Sequence, residues 1–282
     1  MKPGIYENIS NDDYHTKYLA WMSSTGLRKF DRSPAHFKHY QDTPQSRGTK
    51  ALIFGDAYHK YLLEPDIFDD HFAVKPGYNK TLKGNREKWA KFKIDHHGKP
   101  MIDEGEMAAI RAMKQSIMDE PGAKWVLDVD HKVEQTIIWK DRETGVKCRC
   151  RPDMLFSDYG APAFVDVKTS MCADPRDFPR VILNYGYHIQ LAFYRRGISF
   201  ITGKPLEAID VYILAVEKSA PFLPALMKVR EDALQEGDEI CGKVLGDYKA
   251  SLNMDYWPGY QKGKEIMSVT LPPYGFREMD FV

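Results

Sequence analysis

No stretch of this 282-residue chain is long and apolar enough to span a bilayer. The N-terminal run Met1-Lys2-Pro3-Gly4-Ile5-Tyr6 lacks the apolar region of a secretory leader. Cysteine is scarce, at four residues, and shows none of the paired spacing of a secreted scaffold. A reducing compartment, the cytoplasm, is the expectation. Cys148 and Cys150 lie one residue apart while Cys172 and Cys241 are scattered, so no iron–sulfur cluster is expected. A charge of one sign is also missing: 40 basic residues balance 40 acidic ones. That argues against a large nucleic-acid footprint, because such affinity comes mainly from neutralised phosphates. No internal repeat or low-complexity tract is visible.

What is present is the composition of a folded globular protein, 43% hydrophobic and 12% aromatic. Its most informative stretch is Arg151-Pro152-Asp153, followed by Asp166-Val167-Lys168. Phe164 to Lys168 reads as a strand. Side chains alternate along a strand, so Asp166 and Lys168 share one face while Val167 points into the core. Val146 to Phe156 reads as a second strand. The turn-forming residues from Ser157 to Pro162 join the two as an antiparallel hairpin. Asp153 then lies across from Asp166.

Two carboxylates beside a lysine can serve phosphodiester hydrolysis, where an anionic nucleophile meets an anionic target. Magnesium offsets that repulsion, and one or two protein carboxylates suffice to hold it. Asp153 and Asp166 fit as ligands. Lys168 would orient or deprotonate the attacking water, or neutralise charge on the phosphate. Taken singly, Asp-x-Lys reads equally as a surface ion pair and Pro-Asp as a turn. Their pairing on apolar strands favours a site, since a central strand tends to be apolar on both faces.

Four segments in order resemble the PD-(D/E)XK nucleases: Gly55-Asp56-Ala57-Tyr58-His59, Arg151-Pro152-Asp153, Asp166-Val167-Lys168 and Gln190-Leu191-Ala192-Phe193-Tyr194. Within that superfamily the chain is most similar to the RecB-like branch and, there, to RecE-type exonucleases. The resemblance implies a restriction-endonuclease-like α/β core, with a mixed central sheet flanked by helices. It further implies Mg2+ as cofactor, with Mn2+ able to substitute. Expected metal ligands are His59, Asp153, Asp166, the backbone carbonyl of Val167 and Glu134. Catalytic roles are expected for Asp153, Asp166, Lys168 and Gln190.

The activity it implies is 5′-to-3′ exonuclease action on duplex DNA ends in phage-type homologous recombination. A ring-like homo-oligomer and a single-strand annealing protein are the implied partners. Two other readings stay open. One is a structure-specific or single-strand nuclease of the RecB or Cas-four kind. The other is a non-catalytic DNA-binding module that keeps the fold.

Each supporting residue also has a plainer reading. His59 lies on an amphipathic helix and could be a packed residue rather than a ligand or phosphate contact. Gly55, one turn earlier, would permit close approach to the sheet. Glu134, in Val133 to Trp139, could be a solvent-facing strand residue. Gln190 and Tyr194 share a helical face with Tyr187 and Leu191, which could be an aromatic core stripe, although a buried amide needs partners. Arg149 and Arg151 share strand parity with Asp153 and could brace it or bind DNA. Arg195 could pair with phosphates or be solvated. The resemblance implies that Gln190 and Tyr194 orient the catalytic strand or touch the scissile strand.

From Lys75 to Lys99 there are eight Lys or Arg against Glu87 and Asp95, with Tyr78, Trp89 and Phe92 interleaved. Lys83 and Arg86 are the DNA-backbone candidates there, and a solvated helix face with a loop at Lys80 to Gly84 is the alternative. One domain over residues 1–282 is expected, with a basic insertion near 66–100 and an aromatic, proline-rich tail from 253 draped over the body or a neighbour. Helices are expected over 49–64, 103–120, 174–197 (with a break) and 230–252, and strands over 131–169 and 209–218.

Overall fold

A computed structural model describes residues 1–271 apart from positions 8, 19, 44–47, 79–81, 157–161, 262, 264 and 265. Residues 157–161 of the loop expected over 157–162, residues 80 and 81 of that expected over 80–84, and the end of the tail lie outside the described residues. The strands are β1 (Gly4–Tyr6), β2 (Ala73–Lys75), β3 (Met101–Asp103), β4 (Lys132–Val133), β5 (Thr136–Lys140), β6 (Lys147–Cys150), β7 (Met154–Phe156), β8 (Ala163–Ser170), β9 (Asp210–Glu217) and β10 (Pro224–Lys228). The helices are α1 (Asn11–Thr16), α2 (Ser24–Arg32), α3 (Pro34–Asp42), α4 (Lys50–Leu63), α5 (Phe68–His71), α6 (Lys83–Asp95), α7 (Glu104–Asp119), α8 (Pro121–Asp128), α9 (Phe178–Tyr185), α10 (Tyr187–Thr202) and α11 (Glu231–Met254).

Short polar signals set the helix boundaries. The Ser23, Ser33 and Thr49 side chains cap α2, α3 and α4 by accepting from the backbone three residues on. Asp103 and Glu106 form a reciprocal capping box at α7. Gly186, at φ 63°, adopts the left-handed conformation that separates α9 from α10.

The central sheet is mixed, in the order β10-β9-β8-β7-β4. β8 and β9 run parallel, and the other pairs are antiparallel. A second sheet, β1-β5-β6, packs beside it, and β2 and β3 form a separate parallel pair. Alternation along the strands builds two apolar layers. Phe164, Val211, Ile213 and Ala215 face one way, into a cluster with α2, α3, α10, α11 and the smaller sheet. Val165, Val167, Leu214 and Val216 face the other way, against α4, α7 and α8. By the same alternation Asp166 and Lys168 lie on the α10 face. The backbones of α10 and α11 approach closely at Gly237, where a Cβ would sit 2.3 Å from the His188 carbonyl oxygen.

The expected strand over 146–156 is two strands in two sheets: β6 pairs with β5, and β7 pairs with β8. Pro152 has no N–H to give a ladder, and the chain changes sheet at Arg151-Pro152-Asp153. The strand expected over 133–139 is likewise interrupted, at Glu134, which has φ 52°. Gly55 is not demanded by space, because a Cβ there would meet only Thr169 Oγ1 at 3.8 Å. The start of the tail lies on the body: Trp257 packs against Phe30, Phe37 and Tyr248, and the Pro258 carbonyl accepts from the Ala35 amide.

Candidate active site

Antiparallel pairing of β7 with β8 places Met154 opposite Val165. One step back along that register puts Asp153 opposite Asp166. The Asp153 Oδ2 accepts from the Val167 amide at 2.6 Å, which ties it to the edge of β8 where the β7 ladder has ended. Asp166, 1% exposed, accepts from Gln190 Nε2 at 3.0 Å through Oδ1. Its Oδ2 is in ion-pair contact with Lys168 Nζ, yet receives no hydrogen bond of proper geometry. Gln190 also donates to Tyr194 Oη at 3.0 Å, so the buried amide that stands out in the sequence is anchored on both sides. Lys168 Nζ lies 4.9 Å from the centre of the Tyr187 ring.

Helix α4 brings His59 to the same corner, with Nδ1 3.7 Å from Asp153 Oδ2. The strained step at Glu134 completes the group. Its amide donates to the Asp153 carbonyl at 3.1 Å, fixing the backbone. Ligand atoms of His59, Glu134 and Asp153 all lie within 4.8 Å of one another. One imidazole nitrogen and two carboxylates form a donor set that fits a divalent cation, and on the neighbouring strand Asp166 Oδ2 lies against Lys168 with no hydrogen-bond partner. The side chain of Val167 points to the opposite apolar layer, leaving only its backbone at the site.

The electrostatics are those of crowded carboxylates. Burial pushes Glu134 up, and the nearby Asp153 charge adds to this, so its pKa rises to about 7 against opposition from His59 and Arg151. Burial and Asp153 also raise Asp166, against the Lys168 ammonium. Burial would raise Asp153 too, but His59, Lys168 and the Val167 amide hold it below the ordinary range. Burial disfavours the charged forms of His59 and Lys168. In both, the neighbouring aspartates prevail and the pKa moves up.

Several of the arginines expected to contact DNA are engaged elsewhere. Arg149 is 2% exposed, and its Nη1 donates to the Tyr14 carbonyl at 2.6 Å. The sheet change voids the parity that linked it to Asp153, so its assignment as a DNA contact is corrected. Arg195, 3% exposed, is held by both Glu231 oxygens at 2.8 and 2.9 Å and is corrected because it too is buried and paired. Arg151 is half-buried. It donates to Thr136 Oγ1 and the Ile9 carbonyl, each at 2.9 Å, and its Nη1 lies 3.8 Å from Glu134 Oε2. It braces Glu134 rather than presenting a free cation. Tyr194 is buried, with its hydroxyl turned to Gln190. Arg86 is exposed on α6, while the Lys83 side chain lies outside the described residues.

Sequence reasoning gives Tyr14 no role. Its ring is flanked by the Arg149 and Arg151 guanidiniums at 4.2 and 4.3 Å. Nothing in the N-terminal sequence signals that. Tyr187 reads in the sequence only as part of a stripe, although its place one turn before Gln190 on the site-facing side of α10 is a usable signal.

With this geometry in place, likeness to known proteins is informative. No curated protein sequence matches the chain. The structure is similar to a crystal structure from Eubacterium rectale described as a "Putative exonuclease". The TM-score is 0.60 at 13% identity, covering 94% of this chain and 96% of that one. At that identity the likeness shows the fold alone, a mixed α/β fold. A crystal structure of SSO0001 aligns over 79% of this chain and 84% of its own, at 11% identity, but its TM-score of 0.29 carries no argument. Residues 23–268 match the family described as "PDDEXK-like domain of unknown function (DUF3799)", and the chain therefore belongs to that family.

Proposed function

We propose that this chain is a divalent-metal-dependent deoxyribonuclease that shortens linear duplex DNA from its ends, 5′ to 3′. The observation that carries the reading is the juxtaposition of Asp153 and Asp166 on facing strands, with Lys168 against one carboxylate and His59 and Glu134 beside the other. His59, Glu134, Asp153 and Asp166 would hold Mg2+ or Mn2+, which when bound supplies Lewis-acid polarisation of the phosphate and a more acidic water.

The chain's own groups do the rest. Lys168, held against the Asp166 carboxylate, offsets charge developing on the phosphoryl oxygens. Gln190 fixes the Asp166 carboxylate and is itself fixed by Tyr194. Tyr187 holds the Lys168 ammonium near its ring. The exposed lysines and Arg86 of α6 contact the DNA backbone. In this reading the protein is a single domain that acts in the cytoplasm, within phage-type recombination. It works as a homo-oligomer beside a single-strand annealing protein.

The test uses purified protein, Mg2+ and linear duplex labelled at the 5′ or 3′ end, with covalently closed circles as a control. Shortening of linear duplex from the 5′ end, with circles intact, is the expected result. Cleavage of circles would replace the end-dependent reading with a structure-specific or single-strand one. Cleavage retained in both Asp166→Ala and Lys168→Ala would move the site elsewhere.

A further inference from the structure

The junction between α9 and α10 carries an aromatic pair of which only the inner ring, Tyr187, packs against the core. Tyr185 and Tyr187 are stacked, with ring centres 5.6 Å apart and planes 18° from parallel. Tyr187 is half-buried and holds the Lys168 ammonium 4.9 Å from its ring centre. Tyr185, by contrast, is 62% exposed. The stack therefore leads from the lysine beside Asp166 out to solvent.

The backbone beneath the pair is fixed. Gly186 supplies the left-handed step at φ 63°. Arg28 of α2 donates to the Tyr185 carbonyl at 2.6 Å, and its Cδ lies 3.1 Å from where a Gly186 Cβ would be. A large aromatic face held open on a braced turn is not what core packing requires. It is what a flat, apolar ligand requires, because a preorganised face loses little freedom on stacking.

We infer that Tyr185 and Tyr187 form a stacking subsite for an unpaired nucleobase of the strand whose phosphate lies at Lys168. This rests on the nuclease reading and deepens it. The base adjoining the scissile phosphate is recognised as an unpaired, exposed π-face, so the terminus must fray to be cut. Stacking is tolerant of sequence, because every base presents such a face. The Lys168 ammonium, near the inner ring, is positioned for the phosphate next to that base.

The test separates the two claims. An Asp166→Asn background stops turnover, and EDTA removes metal. A single-stranded oligonucleotide with 2-aminopurine at its terminus is titrated in, and quenching of its fluorescence reports stacking. The expected result is quenching on binding. Tyr185→Ala should lose the quench and weaken binding roughly 5- to 140-fold, the range of one base–aromatic stack. Tyr185→Trp should restore both. Unchanged melting temperatures would show that each variant folds, as expected for an exposed side chain. Absence of binding, binding without quench in the parent, or a Tyr185→Ala protein that quenches like the parent would each overturn the subsite. None of these touches the nuclease reading, which stands or falls on whether the unsubstituted protein with Mg2+ shortens linear duplex.

Discussion

The corner around Asp153 and Asp166 and the basic helix α6 are built by opposite rules. In the corner most polar groups answer to another: a strand amide to Asp153, Gln190 to Asp166, Tyr194 to Gln190, Arg151 to Glu134. Four elements converge there from distant parts of the chain. Helix α6 packs only lightly against other elements among the described residues, and Ile94 on it is 74% exposed. Its order is local: Trp89, Phe92 and His96 stack on one another along one face. A group held from several sides has a fixed geometry and a perturbed pKa. A charge on a solvated helix acts through the sum of its neighbours.

The contrast predicts where substitutions matter. The largest effect is expected from Asp166→Ala and Lys168→Ala, each lowering kcat by at least roughly 10²–10³-fold with little loss of folding, read by single-turnover cleavage of linear duplex. Gln190→Ala comes next. It leaves the Asp166 carboxylate without its buried partner and should reduce metal affinity or rate about 10–100-fold, measured by Mn2+ titration and by kinetics. Equal Mn2+ affinity and rate in this variant would show that the buried amide is packing alone.

The pH response follows from Glu134. Its pKa moves from the usual 4.5 to about 7 on folding. Between those values the folded chain holds more protons than the unfolded one. Stability from this group is therefore present below about pH 4.5 and lost as pH rises through about 7. The raised pKa of His59 acts in the same sense. The groups titrate as a set, so the measurable quantity is the slope of melting temperature against pH. Melting temperature should fall over this range without metal. Added Mn2+ or Mg2+ competes with the proton, so stabilisation by metal should grow as pH rises. A slope unaltered in Glu134→Gln would remove Glu134 from the site. A nitrogen ligand also favours Mn2+ over Mg2+, so the Mn2+ dissociation constant should be the lower of the two.

The smallest effect belongs to α6. Lys91→Ala and Lys93→Ala should change stability by no more than about 0.5 kcal/mol. DNA binding should weaken evenly across sequences, and the salt slope should shrink by about one for each phosphate no longer neutralised. A slope unchanged in the double variant would leave α6 as a solvated face, and the comparison between the two regions would lose its functional half.

Much of the corner was legible because it rests on short-range rules. Strand alternation put Asp166 and Lys168 on one face, hairpin pairing set Asp153 against Asp166, and helical spacing aligned Gln190 with Tyr194. Other features answer to partners that no local pattern encodes. Arg149 and Arg195 read as free cations, yet each is buried against a group far along the chain, the Tyr14 carbonyl and Glu231. The positive φ of Glu134 is held by its bond to the Asp153 carbonyl across the sheet.

Residue order thus settled which side chains could do the chemistry, because period two along strands and 3.6 along helices follow from backbone geometry alone. Which cations face solvent, which carboxylate keeps its proton to about pH 7, and which of the two stacked tyrosines stands open were settled by folding. Burial and charge–charge distance exist only once the layers are packed, and they depend on partners that sequence separation does not reveal.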